Sequence, residues 1–263
     1  MAAGDGPRPL RQEQAPHGRG EVHTRGEEAH GHGEARGHHH RDVSGGWLRP
    51  AVFGSMDGLV TNVSLIAGVG GGGGSAHAII LAGLAGLSAG AFSMAAGEFV
   101  SVSSQNELIN AEVHKEKIEL DTHPEAELRE LAAVFRHGGV EPRLADEVAR
   151  QLSERPEVAL RLHVREELGV DHKELPSPFT AAGASLLTFA VGALIPLLPY
   201  LIGFRSLLVA LVLAAVAAFG GGGLVARVTE RPFLRGALRQ LLLAGAAAGL
   251  TYGIGSLVGA AVS

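Results

Sequence analysis

Cysteine is absent from the 263 residues. Disulfides and thiolate metal sites are thereby excluded, and any bound metal falls to carboxylate, imidazole, thioether or backbone oxygen. Aromatic residues are scarce at 5%, so the 46% hydrophobic content lies mainly in Leu, Ala and Val, beside 38 Gly. With a positive mean hydropathy, that balance is a helical membrane signature rather than a soluble core. Acidic charge is scarce in the apolar runs: of 27 acidic residues only Asp57 and Glu98 fall inside them. No basic stripe with interleaved aromatics is present, so nothing points to nucleic acid. There is no nucleophile elbow, phosphate loop or HExxH, and the glycines at 70–74 read as a turn because no Lys or Ser/Thr completes a phosphate cradle. An enzyme is the weakest expectation.

What is present begins with a polar, His-rich tail at 1–44 that holds His17, His23, His30, His32, His38, His39 and His40. Its low apolar content predicts disorder, and it has no apolar stretch of signal-peptide type, so the first apolar run is expected to stay in the mature protein. Five apolar runs follow, at 48–69, 76–102, 179–202, 206–228 and 233–262. Each is near or above the ~20 residues that span a bilayer as a helix. The expected fold is an all-α integral membrane protein: five transmembrane helices with a cytoplasmic helical domain inserted between helices 2 and 3. The expected divisions are the tail at 1–44, helices 1 and 2 at 45–104, the inserted domain at 105–178, continuing directly from the second membrane helix, and helices 3 to 5 at 179–263. Arg227, Arg231, Arg235 and Arg239 flank the fourth connection, whereas the third has only Arg205 and the first has none. By the positive-inside rule the amino terminus and the insertion are cytoplasmic and the carboxyl terminus is outside. Pro196 and Pro199 are expected to kink or end the third span. Gly245, Gly249 and Gly253 recur at four-residue spacing, which predicts close helix packing within the bundle or across a homodimer.

An ionised carboxylate inside a membrane span costs at least about 2.5 to 3.5 kcal/mol, so it faces a protein interior, a partner or a water-filled path. Asp57, Thr61 and Ser64 fall on one helical face. Gly86, Gly90, Met94 and Glu98 follow at successive four-residue steps in the second run. Carboxylate, hydroxyl and thioether together suit a divalent transition-metal ion, which makes Asp57, Thr61, Met94 and Glu98 candidate path residues. A Met in a packing face, with the carboxylate paired elsewhere, is the plainer alternative.

Asp121 and Thr122, followed by Pro124 and Glu125, predict a helix start in the insertion. Leu128, Leu131 and Phe135 give its apolar face, Leu144, Val148 and Leu152 that of a second helix, and a third runs from near Pro156 to Gly169. The acids are patterned: Glu112, Glu116 and Glu119 share a face, Glu127 and Glu130 another, and Glu166 and Glu167 follow one turn after His163. Such oxygen ligands with one imidazole would hold Fe(II), Mn(II), Zn(II) or Ca(II). An ordinary Glu-rich helix surface would show the same spacing.

The FGSMDGLVTNVSLIAGV stretch, the SAGAFSMAAGEFVSVSSQNE stretch, the insertion glutamates and REELGVD resemble the vacuolar iron transporter family over about residues 46–263. That resemblance implies five membrane helices with a cytoplasmic insertion, and a metal path whose aspartate and methionine match Asp57 and Met94. It implies insertion ligands in two E-x-x-E pairs, matching Glu116, Glu119, Glu127 and Glu130. A later family cluster of two methionines and a glutamate falls on His163, Val164 and Glu167. Here the chain departs, because neither methionine is present. The expected function is proton-coupled export of Fe(II), with Mn(II) or related ions, from the cytosol. The expected partners are divalent metal ions, protons, the lipid bilayer and a second copy; no cofactor is expected beyond the transported ion. A membrane-anchored metal sensor or buffer is the rival. The Ala, Gly, Leu and Arg bias suggests a prokaryotic plasma membrane.

Overall fold

The computed structural model describes residues 46–262; the tail expected at 1–44 lies outside them. Among the described residues there are eight α-helices and no strand. In chain order they are α1 Leu48–Gly71, α2 Ala76–Thr122, α3 Pro124–His137, α4 Pro142–Ser153, α5 Pro156–Leu168, α6 Pro178–Leu201, α7 Leu207–Val228 and α8 Phe233–Val262. Five of these, α1, α2, α6, α7 and α8, are long and apolar enough to cross a membrane. Helix starts follow local chemistry. Ser75 caps α2 by accepting from the Ala78 N–H at 3.2 Å, and Pro occupies the first turn of α3, α4, α5 and α6, where its missing N–H costs nothing.

Small residues set the bundle's packing. At Gly58 an added Cβ would collide with the Phe189 carbonyl, and at Gly192 with that of Ser55, so α1 and α6 meet backbone to backbone. The Phe189 ring also fills the space over Gly90, which puts α6 against both α1 and α2. Gly255 and Gly259 of α8 approach Gly68 of α1 and Gly72, the residue that caps its end, in the same way. The expected in-bundle packing of Gly245, Gly249 and Gly253 does not occur, since a Cβ added at any of them meets nothing within 4 Å. The close seam of α8 lies instead on its Gly255 and Gly259 side. α6 does not end at Pro196 or Pro199 but runs on to Leu201, where the Phe204 N–H closes onto the Pro199 carbonyl at 2.8 Å.

α2 runs on past its span into the insertion, the direct continuation expected of it. It has 47 residues, ~70 Å at 1.5 Å per residue, more than twice a ~30 Å hydrocarbon layer. The division expected at residue 104 therefore falls inside a helix. Neither Gly nor Pro occurs between Glu98 and Pro124 to interrupt it. Thr122, expected to start the next helix, ends this one: its hydroxyl donates back to the Ile118 carbonyl at 2.7 Å. In the insertion, α3 and α4 pack through Leu131, Ala132 and Ala149. Leu144 is exposed rather than inward, because α4 presents Ala145 and Ala149 to its neighbours.

Candidate metal centre

Three helices converge on one imidazole. His163 of α5 is 3% exposed, and its Nδ1 lies 3.2 Å from Oε1 of Glu116 on α2 and 3.5 Å from Oε2 of Glu127 on α3. Glu167, one turn after His163, adds a third carboxylate; ligand atoms of Glu116, His163 and Glu167 all lie within 4.8 Å of one another. Glu116 Oε1, Glu127 Oε2 and His163 Nε2 are buried without a hydrogen-bond partner. Unpaired buried polar atoms are costly, about 1 to 3 kcal/mol each and more when charged. The cluster is thus short of positive charge, and a divalent cation fits its donor set.

Electrostatics tell the same story. The Glu116 carboxyl is pushed up to about 7, first by burial and then by the charges of Glu167, Glu127, Glu119 and Glu130. Burial also raises Glu127, which Glu130 and Glu119 raise further, while His163 opposes them. Glu167 is raised by burial and by Glu130, Glu127 and Glu119, against Lys115. Glu119 and Glu130 therefore act on the cluster through charge. Two candidates stand apart. Glu112 is half-buried and 3.7 Å from Lys115, and Glu166 is exposed and not among the groups that perturb Glu116 or Glu127. Val164 is 1% exposed and serves packing.

In the bundle, Asp57 is half-buried and accepts one long hydrogen bond, 3.5 Å, from the Thr61 hydroxyl. Met94 packs beside Ala91, Phe189 and Ala193, and Glu98 is half-buried. Gly86 of α2 lies against Leu65 and Asn62 of the antiparallel α1. Counting back from that contact at 1.5 Å per residue, Asp57 and Met94 come level within ~2 Å along the helix axes, with Glu98 about a turn nearer the insertion. No hydrogen bond or ion pair among the described residues joins them. One residue was missed from the sequence. Asn62, fully buried, donates to the Ala193 carbonyl of α6 at 2.5 Å and leaves its Oδ1 unpaired. A carboxamide in the middle of an apolar run was the available signal.

Fold and site together define a polytopic helical membrane protein that carries a buried carboxylate–imidazole cluster in helices inserted between its second and third spans. The profile of the VIT family matches residues 48–256, and the chain belongs to that family. It is 37% identical over 234 residues to a vacuolar iron transporter of Acanthamoeba castellanii, covering 84% of this chain and 83% of the relative. It is 35% identical over 213 residues to vacuolar iron transporter homolog 5 of Oryza sativa subsp. japonica, covering 79% and 78%. With vacuolar iron transporter homolog 3 of Arabidopsis thaliana the identity is 34% over 219 residues, covering 81% and 84%.

Proposed function

We propose that this protein is a proton-coupled transporter that moves Fe(II), and Mn(II) or related divalent ions, out of the cytosol. The observation that carries the reading is the cation-deficient cluster of Glu116, Glu127, His163 and Glu167, at the end of the helix that also bears Met94 and Glu98. The cluster would capture the ion on the cytosolic side, an orientation that the four arginines of the α7–α8 connection support by the positive-inside rule. Asp57, Thr61 and Met94 would carry it through the bundle. A carboxylate must lose its proton to bind metal, so proton release on capture and proton uptake on discharge supply the coupling. The names of the relatives support iron as the cargo. The Ala, Gly, Leu and Arg bias favours a prokaryotic plasma membrane as the host.

Purified protein in liposomes, loaded with a metal-quenched dye, should pass Fe(II) when a pH gradient is imposed. No flux under that gradient, with the metal still bound by the protein, would favour the sensor or buffer reading, which needs the cluster but no path. The uncovered Gly245, Gly249 and Gly253 face of α8 supports pairing of two copies. Because the chain lacks cysteine, a single Gly249→Cys variant tests this directly: no crosslinked dimer in membranes would remove that face from the interface.

A further inference from the structure

The turn between α7 and α8 is built rigidly and left electrically unbalanced. α7 closes with Glu230 in the left-handed region (φ 56°). The Arg231 N–H donates to the Ala226 carbonyl at 2.8 Å and the Glu230 N–H to the Arg227 carbonyl at 3.2 Å. This paired closure fixes the chain's exit from the helix, and Pro232 follows before α8 starts. The Arg227 guanidinium lies over the Phe233 ring, 5.1 Å from its centroid, and that ring is held edge-on by Phe219 at 5.9 Å. A stacked guanidinium keeps its N–H donors free at the ring's edge.

Arg227, Arg231, Arg235 and Arg239 recur at every fourth position through this turn, with Glu230 the lone acid among them. Among the described residues no carboxylate lies within ion-pair distance of any of the four. Elsewhere Arg136 pairs with Asp146, Arg150 with Glu147 and Glu154, and Arg161 with Asp171, while other single arginines stand unpaired; what sets this turn apart is four such arginines at regular spacing with one acid among them. Depth supplies the second argument. α8 has 30 residues, ~45 Å against a ~30 Å hydrocarbon layer, so part of it projects beyond the hydrocarbon. A span ending at that boundary puts Arg235 and Arg239 in the headgroup layer. Leu234, Leu238 and Leu242 are exposed alongside them, and Leu224 and Val228 flank the end of α7.

We infer that the α7–α8 turn is a binding site for the headgroup of an anionic phospholipid. The four guanidiniums take the phosphate and the adjoining leucines take the acyl chains. Forked N–H donors match phosphate oxygens, and an anionic leaflet adds roughly 1 kcal/mol per basic residue near its surface. The apolar flank distinguishes a lipid from free phosphate. The inference rests on α7 and α8 crossing a bilayer and is independent of what the protein transports.

The test uses the full chain in mild detergent. It is mixed with equal amounts of phosphatidylglycerol and phosphatidylcholine of the same acyl composition, and retained lipid is read by native mass spectrometry. Phosphatidylglycerol should be retained about tenfold over phosphatidylcholine, and inorganic phosphate at the same concentration should not displace it. The variants R227Q/R231Q and R235Q/R239Q should each lose several-fold in that retention. R129Q/R143Q in the insertion should match the parent. Equal retention of the two lipids, displacement by inorganic phosphate, or undiminished retention in both turn variants would each overturn the proposal. The lipid competition on the parent decides the question without any variant, even where a variant fails to insert.

Discussion

Asp57 in α1 and Glu116 in α2 are both carboxylates among apolar neighbours, but they are held in opposite ways. Asp57 is half-exposed on the single chain, with one 3.5 Å hydrogen bond from Thr61 and no other acid beside it. Glu116 is 5% exposed and surrounded by the charges of Glu119, Glu127, Glu130 and Glu167, with His163 as the close imidazole. The first is a lone carboxylate with a single long hydrogen bond, which under the proposed transport would hold an ion only briefly. The second is a group of like charges that repel until a cation joins them. Removing charge should therefore have different consequences in the two places: loss of throughput in the bundle, and loss of binding with a gain in metal-free stability in the insertion.

The largest effect is expected from Asp57→Asn, which keeps size and polarity but removes the charge that would meet the metal. Transport in sealed vesicles should fall to background while metal binding by the protein persists, and insertion should be no worse because an uncharged group is cheaper in the bilayer. Full transport at matched expression would take Asp57 out of the mechanism. Next comes the joint change of Glu116, Glu119, Glu127 and Glu130 to Gln. Metal affinity should drop roughly 100-fold, the upper end of what lost outer partners alone cost, with helicity retained because Gln is nearly as good a helix former as Glu. The metal-free protein should melt higher than the parent, since mutual repulsion is gone. A lower melting temperature would mean that the glutamates support the fold.

Acidity sharpens the contrast further. Glu116, raised from 4.5 to about 7, binds its proton more tightly folded than unfolded, so its effect on metal-free stability is unfavourable above pH 4.5 and grows until about 7. Metal-free stability should fall as pH rises through that window, while metal affinity should rise, by about tenfold per pH unit below 7 for one competing proton. Calorimetric titrations at pH 5.5, 6.5 and 7.5 would check it, and a flat profile would remove Glu116 from the ligand set. The smallest effect is expected from Met94→Leu, which preserves volume against Ala91 and Phe189. Stability should change by less than about 1.5 kcal/mol, while the relative rates for Fe(II) and Mn(II) shift several-fold; unchanged relative rates would make the sulfur a packing atom.

The membrane half of the fold was readable because its signal is local: each span is a continuous apolar run, and four of the five helices end within a residue or two of it. The exception, α2, runs on past its apolar run into the insertion, as expected, so the span boundary and the helix boundary differ there. At residue 102 the chain turns from apolar to charged, which marks where hydrocarbon would end and carries no instruction to break a helix. Leu144 misled because side-chain hydrophobicity named it as core while helix spacing gave the inner face to Ala145 and Ala149. In the cluster, helical spacing put Glu116 and Glu127 among the patterned acids and the family resemblance implied them as ligands, but the meeting of both with His163 joins α2, α3 and α5 over dozens of residues. No periodicity within one helix encodes that meeting. For Gly245, Gly249 and Gly253 the spacing left packing within the bundle or across a dimer open, and the single chain does not use them within the bundle.

The unbroken course of α2 makes it a mechanical shaft as well as a span. Glu98 and Glu116 are eighteen residues apart on it, five full turns, so they lie on one meridian at a separation of ~27 Å. Because neither Gly nor Pro interrupts the helix between them, a tilt applied at the bundle end would be carried toward the other. A tilt of about 5° would swing Glu116 through roughly 2 Å. That throw is comparable to the 3.2 Å and 3.5 Å separations that hold His163 between its two carboxylates. If the bundle rocked by a few degrees while α3 and α5 held still, the grip of the cluster would open or close with it. One alanine inserted after Leu108 would turn the far end by about 100°, and should uncouple grip from throughput while leaving both halves folded.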